Sequence, residues 1–175
     1  MWKIFWPIVR QVIRFRRGRI PPSKLPDRVW YFAFGSNMSE QLFRERRHMT
    51  PIKTCVGRLP YYRLVFTMAG GMQPGTSAPA NIVSATGSTV YGVLYLLPSR
   101  KFARLDNSEG KQYSYLWIDV FDPAGNPIHA VTYTVLSDAP EGKPAPRYLA
   151  TIRDAARERG LPDTYIDFLD RVESR

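Results

Sequence analysis

An α+β fold, a mixed sheet or small barrel of about six strands with flanking helices, follows from three features of the sequence. Short runs of strand formers recur from residue 29 to residue 136, strong turn signals separate them, and two helical patterns close the chain. Residues 29–34 are a continuous strand-forming run that stops at Gly35-Ser36-Asn37, after which polar Met38-Ser39-Glu40 leads into a helical pattern with Leu42 and Phe43. Residues 57–66 alternate aromatic and polar side chains and predict a strand. The Gly-rich connection 69–77 has no lysine after its last glycine and is not a phosphate loop. Residues 80–85 and 89–97 predict two strands joined by a hairpin turn at Thr86-Gly87-Ser88. Pro98 fits the first position of a short helix running to about Asp106. Strands 113–121 and 129–136 flank the turn Asp122-Pro123-Ala124-Gly125-Asn126-Pro127. A helix over 147–159 is capped by Gly160, and Pro162 opens the last one.

The 175 residues, 44% hydrophobic and 23% charged, suffice for one domain with its own core plus an appendage. Cys55 is the only cysteine, which excludes an internal disulfide or a Cys-rich metal cluster and points to a reducing, cytoplasmic setting. His48 and His129 are the only histidines and lack the spacing that would place two ligands on one helical face, so no metal site is expected.

The net charge of +10 is unevenly placed: Lys3, Arg10, Arg14, Arg16, Arg17, Arg19, Lys24 and Arg28 against Asp27 leave +7 in the first 30 residues. A basic tail on a nearly balanced domain is an attachment device, not a nucleic-acid-reading surface, which interleaves basic and aromatic side chains across the fold itself. Within residues 1–19, apolar Trp2, Ile4, Phe5, Trp6, Ile8, Val9, Val12, Ile13 and Phe15 alternate with cations. The stretch is shorter than the about 20 residues needed to span a bilayer, and its interrupting cations and lack of a small-residue cleavage site fit a secretory signal badly. Two readings fit it equally: peripheral contact with an anionic membrane surface, or an arm packed on the domain or on the second subunit of a homodimer. Prolines 21, 22 and 26 make a stiff linker, dividing the chain into a segment 1–28 and a domain 29–175.

Two places could carry chemistry. The loop after the first strand joins a buried strand end, a glycine and amide groups at a helix start, a cradle suited to carboxylates or oxyanions, although Gly-Ser-Asn after a strand also makes a plain turn. Glu109 follows a helix and precedes a strand, where a short loop holds a carboxylate over the sheet or leaves it in solvent. No G-x-S-x-G elbow exists, which sets acyl-enzyme chemistry aside.

These residues resemble the gamma-glutamylcyclotransferase family. Tyr31-Phe32-Ala33-Phe34-Gly35-Ser36-Asn37 is similar to its Y-F-A-Y-G-S-N loop, and Leu105-Asp106-x-x-Glu109-Gly110 to its L-D-x-x-E-G segment. In the same order, Val90-Tyr91-Gly92-Val93-Leu94-Tyr95 resembles a V-x-G-V-x-Y strand, Pro144-Ala145-Pro146-Arg147-Tyr148 a P-x-P-x-Y segment, and Gly160-Leu161-Pro162-x-x-Tyr165 a G-L-P-x-x-Y segment. The resemblance covers about residues 29–172. Phe34 departs from it, removing the hydroxyl of the usual tyrosine, and residues 69–78 lack a counterpart.

The resemblance implies that a small-molecule gamma-glutamyl substrate closes on itself, its alpha-amine attacking its gamma-carbonyl, to give 5-oxoproline and a free amino acid or amine without any cofactor. Positioning of this kind supplies about 7 kcal/mol of barrier lowering. It implies Glu109 as general acid and base, with apolar surroundings that raise its pKa, and Tyr31, Phe32, Ala33, Phe34, Gly35, Ser36, Asn37 and Tyr148 as substrate-binding residues. The loop amides from Gly35 to Asn37 would hold the alpha-carboxylate or the oxyanion. Asn81 either presents its amide to the site or makes a strand-edge turn. Gamma-glutamylamines, a gamma-glutamyl secondary metabolite, and a non-catalytic module binding polyanions through its basic arm are the alternatives.

Overall fold

The computed structural model describes residues 16–17, 20, 24–68, 76–109, 113–135 and 140–175. The amphipathic reading of residues 1–15, most of the Pro-rich linker, the Gly-rich loop 69–75 and Gly110 lie outside the described residues. The elements in order are strands β1 (Arg16–Arg17), β2 (Arg28–Ala33), β3 (Lys53–Phe66) and β4 (Ala80–Pro98), helix α1 (Ser99–Ser108), strands β5 (Tyr113–Phe121) and β6 (Pro127–Val135), and helices α2 (Pro146–Glu158) and α3 (Asp163–Arg171). No described helix is long and apolar enough to cross a membrane.

The strands pair in the order β5-β3-β4-β2-β6, and β6 pairs back onto β5, closing a five-stranded barrel. All pairings are antiparallel except β2 with β6, joined in parallel at Tyr31↔Val131. β3 meets β5 at Arg58↔Phe121, and the two-residue β1 pairs with Tyr115 and Ser114 toward the other end of β5. The fold is therefore α+β and mixed as expected, with five long strands.

The count differs because the sequence at 80–98 makes one strand, not a hairpin. β3 and β4 pair continuously from Lys53↔Leu96 to Phe66↔Ala80, with one register shift between Pro60↔Thr89 and Tyr62↔Ser84. Thr86-Gly87-Ser88 lies in the extra length of β4 at that shift, where Gly87 has φ 78 and Tyr61 on the partner strand φ 65. Its turn chemistry thus builds a bulge that bends the strand around the barrel, a recognised use of a left-handed residue. The expected helix after Asn37 is likewise broken up, into a 3-10 turn at Ser36–Met38 and a π-helical turn at Leu42–Arg46.

Inside the barrel, Gly57 and Gly92 are direct partners across β3 and β4. A Cβ on Gly57 would sit 3.0 Å from the Phe32 ring, and one on Gly92 2.9 Å from the ring and 2.2 Å from the Ala33 carbonyl oxygen. Phe32, fully buried, fills the space that these two side chains would take. Three helices cover the barrel, contributing fully buried Phe102 and Leu105 from α1, Leu149 and Ile152 from α2, and Leu169 from α3. We expect Gly92→Ala to lower stability by at least about 1–3 kcal/mol in urea unfolding, since the contact is with backbone that cannot swing aside.

Candidate active site

The loop after β2 is held from two sides. Tyr95 of β4 is the direct partner of Tyr31 on β2, and its hydroxyl lies 3.1 Å from both the Asn37 and Met38 carbonyl oxygens. Burial raises the Tyr95 phenol to about 12, keeping it a donor. From the C-terminal end of α2, Arg159 donates through Nε to the Met38 carbonyl at 3.0 Å, through Nη1 to Glu40 at 3.1 Å and through Nη2 to the Tyr95 hydroxyl at 3.2 Å. Phe43, buried by the π-helical turn, stacks on Tyr95 with ring centroids 4.1 Å apart. The loop backbone is thereby fixed, and no side chain caps the 3-10 turn at its N-terminal end.

A cavity of about 270 Å³ opens beside this loop. Of the residues expected in the site, Tyr31, Phe34, Gly35, Ser36, Asn37, Glu109 and Tyr148 line it. Phe32 and Ala33 do not: strand alternation turns the Phe32 ring into the barrel, and the Ala33 carbonyl packs against Gly92. Asn81 is also a correction. Its amide nitrogen donates to Thr67 Oγ1 and the Val135 carbonyl, and its oxygen accepts from Thr134 Oγ1 at 2.7 Å and the Val135 N–H at 3.0 Å. Asn81 therefore ties β4 to β6 and has no role on the cavity wall.

Glu109 stands at the C-cap of α1 with its side chain 13% exposed. Burial pushes its carboxyl above the ordinary glutamate value; the positive charge of Arg47 and the amide of Asn37 pull it back, and the charge of Asp106 adds to the rise. Its Oε1 is buried without a hydrogen-bond partner, and Arg47 Nη2 lies 3.8 Å from it. The other buried acceptor on this wall without a partner is Asn37 Oδ1, whose Nδ2 donates to the Tyr31 hydroxyl at 2.9 Å. Two orphaned acceptors in one cavity suit a ligand that brings donors.

The cavity also holds residues that sequence reasoning missed, among them Arg47, Ser108, Tyr113, Thr132 and Tyr133. Tyr133 donates to Asp106 Oδ1 at 2.6 Å, while Asp106 Oδ2 accepts from the Ile20 N–H at 3.1 Å. Arg47 sits in the run Arg44-Glu45-Arg46-Arg47, which reads as a solvated face. The tyrosines read only as strand formers. Burial raises the phenols of Tyr31, Tyr113, Tyr133 and Tyr148, so all four stay protonated around Glu109. Tyr148, from the first turn of α2, accepts from the Ala80 N–H at 3.1 Å. Among the described residues, no group of three or more His, Cys, Asp or Glu side chains is placed to hold a metal ion.

Comparison with known proteins gives these residues a context. Residues 89–169 match the AIG2-like family. The chain is 30% identical over 154 residues to the gamma-glutamylcyclotransferase of Mus musculus, an alignment covering 82% of this chain and 78% of that protein. The chain belongs to the gamma-glutamylcyclotransferase family. It is also 31% identical over 171 residues to the gamma-glutamyl cyclotransferase aclK of Aspergillus oryzae, covering 83% of this chain and spanning 62% of that relative's length. A solved structure of a gamma-glutamyl cyclotransferase superposes with a TM-score of 0.76 at 26% identity, over 85% of this chain and 89% of that one. A yeast family structure described as specific to glutathione shares the fold at 13% identity and a TM-score of 0.62, over 82% of this chain and 94% of that one.

The Glu109 environment has a consequence for stability. Its folded-state pKa lies above the ordinary 4.5, so the ionised carboxylate costs folding stability above the folded pKa, and that cost vanishes as pH falls through it. We expect Glu109→Gln to melt at a higher temperature than the parent at neutral and mildly alkaline pH, with the gap closing below the ordinary glutamate pKa. A gap independent of pH in thermal unfolding would contradict the burial assignment.

Proposed function

We propose that this chain is a gamma-glutamyl cyclotransferase, converting a gamma-glutamyl amino acid or related gamma-glutamyl compound to 5-oxoproline and the free amino acid or amine, with Glu109 carrying the proton. The observation that carries this reading is the pair of orphaned acceptors, Glu109 Oε1 and Asn37 Oδ1, on the wall of one cavity. An alpha-ammonium brings three donors and no acceptor, and so matches them.

The steps follow from the chemistry of such a substrate. An alpha-amine has an ordinary pKa near ~7.7–8.0, so much of it is protonated at neutral pH and must lose a proton to become a nucleophile. Glu109, whose carboxyl burial has made a better base than an exposed glutamate, takes that proton. The amine nitrogen then bonds to the gamma-carbonyl carbon, closing a five-membered ring and placing negative charge on the carbonyl oxygen. Amides of the loop from Gly35 to Asn37 stabilise that oxyanion, a type of contact whose loss costs about 10²-fold in rate. Glu109 then gives its proton to the leaving nitrogen as the oxyanion collapses and the carbon–nitrogen bond breaks. It takes the second proton still carried by the ring nitrogen and passes it to the departing amine, which leaves as its ammonium. No water is consumed, and the protonated tyrosines around Glu109 help to exclude bulk solvent from the transfer. Phe34 and Tyr148 line the cavity and bear on which gamma-glutamyl compound fits it.

The test is 5-oxoproline release from a panel of gamma-glutamyl amino acids, gamma-glutamylamines and glutathione. We expect turnover of at least one member and a loss of about 10²- to 10⁴-fold in Glu109→Gln, the range for removing a general acid–base group. Full activity in Glu109→Gln would remove Glu109 from the mechanism, and a folded parent inert on the whole panel would remove the activity.

A further inference from the structure

We propose that Arg47 is the residue that binds the alpha-carboxylate of the gamma-glutamyl group, leaving the loop amides to the oxyanion. This inference rests on the gamma-glutamyl reading of the cavity and names the contact that selects such a group within it.

The argument begins with how the nearby arginines are used. Arg159 is committed: each of its three nitrogens donates to a carbonyl, a carboxylate or a hydroxyl that holds the loop. Arg47 is not committed in this way. Its Nη1 donates to Ser108 Oγ at 2.7 Å, which in turn donates to the Leu105 carbonyl at 2.7 Å, so the guanidinium is braced against the last turn of α1. Its Nη2 stands 3.8 Å from Glu109 Oε1, beyond hydrogen-bond length, although both side chains line the same cavity. A bidentate Arg–carboxylate pair would have closed that distance. The side chain is 29% exposed, so the guanidinium is largely removed from water without being neutralised at close range.

Substrate stereochemistry supplies the partner. The alpha-amine and alpha-carboxylate of a gamma-glutamyl group share one carbon. An amine within reach of Glu109 therefore places its carboxylate beside it, where Arg47 stands, whereas the gamma-carbonyl, folded back onto the amine for ring closure, carries no charge in the substrate and is served by the loop amides. A carboxylate on the leaving amino acid is farther still. The guanidinium and Glu109 together match the two charges of the zwitterion, cation to carboxylate and carboxylate to ammonium. The alpha-carboxylate is retained in 5-oxoproline, so the same contact holds the product.

Binding of 5-oxoproline and of pyrrolidinone, the same ring without the carboxylate, is measured by NMR titration on the parent, Arg47→Gln and Arg47→Lys. Turnover of one gamma-glutamyl amino acid and one gamma-glutamylamine is measured in parallel. We expect the parent to prefer 5-oxoproline by about 10- to 100-fold, in keeping with a charge-assisted pair. Arg47→Gln should erase the preference, Arg47→Lys should recover part of it, and kcat/KM should fall by a similar factor for both substrates in Arg47→Gln. A residue that merely braced α1 would not discriminate between the two rings. A preference that survives in Arg47→Gln, a parent that binds neither ring, or a loss confined to the amino-acid substrate overturns the assignment, the last by moving Arg47 to the leaving group. Failure of the cyclotransferase reading is distinct: it shows as a parent that releases no 5-oxoproline, whatever the ring preference.

Discussion

The facing glycines of β3 and β4 set the geometry on which the cavity depends. Gly57 and Gly92 are register partners, and together they leave a gap in the barrel wall that the Phe32 ring fills. Interiors pack at crystal-like density, so a ring occupying a gap shaped by backbone has little freedom to slide along its strand. That fixes β2 along β4, and with it the pairing of Tyr31 against Tyr95. The chain leaves β2 at Phe34, so the loop carrying Gly35, Ser36 and Asn37 starts from a defined point. Tyr95 and Arg159 then hold its carbonyls.

The same placement makes the cavity a costly one. An acid sits among tyrosines whose phenols stay neutral, and among the described residues the cation within ion-pair distance of it, Arg47, stands 3.8 Å away. Burying a charge without close pairing opposes folding, and groups poised in this way concentrate at functional sites. A tighter Arg47–Glu109 pair would hold Glu109 as a weaker base, while a fully exposed Glu109 would return to its ordinary acidity. The long contact lies between those extremes: it limits the rise caused by burial without cancelling it.

Much of the architecture was legible because it follows local rules. Asp122-Pro123-Ala124-Gly125-Asn126 makes a turn in which the Asp122 carboxylate accepts from the Asn126 N–H and Gly125 has φ 86, as its residue types demand. Gly160, with φ 65, ends α2 for the same reason. The failures came where local chemistry is ambiguous or where contacts span the chain. Thr86-Gly87-Ser88 suits a hairpin or a bulge, and only the 14-residue length of β3 alongside decides for the bulge. Phe32 and Ala33 share the loop motif with Tyr31, but strand alternation and the glycine gap send them elsewhere. Asn81 has the type of side chain that could serve a site, yet its partners Thr134 and Val135 lie more than 50 positions away on β6. Arg47 could not be told from Arg44 and Arg46 until the π-helical turn set its direction, since an i→i+5 bond from the Arg47 N–H to the Leu42 carbonyl breaks the periodicity by which faces are assigned.

The two acids at the end of α1 show how one short segment divides structural work from chemistry. Asp106 is 6% exposed, and each of its carboxylate oxygens accepts a hydrogen bond, one from the Tyr133 hydroxyl and one from the Ile20 N–H. Glu109, three residues on, leaves Oε1 without any. The first arrangement anchors: it joins α1 to β6 and to the chain arriving from residue 20, and so sets where the helix ends. The second depends on it, because Glu109 is the residue immediately after that helix, with its N–H bonded back to the Asp106 carbonyl at 3.4 Å. Glu109 Oε1 is left to meet a ligand, on a carboxyl that burial pushes above the ordinary glutamate value. Satisfying Asp106 fully is what allows Glu109 to remain unsatisfied at a fixed point on the cavity wall.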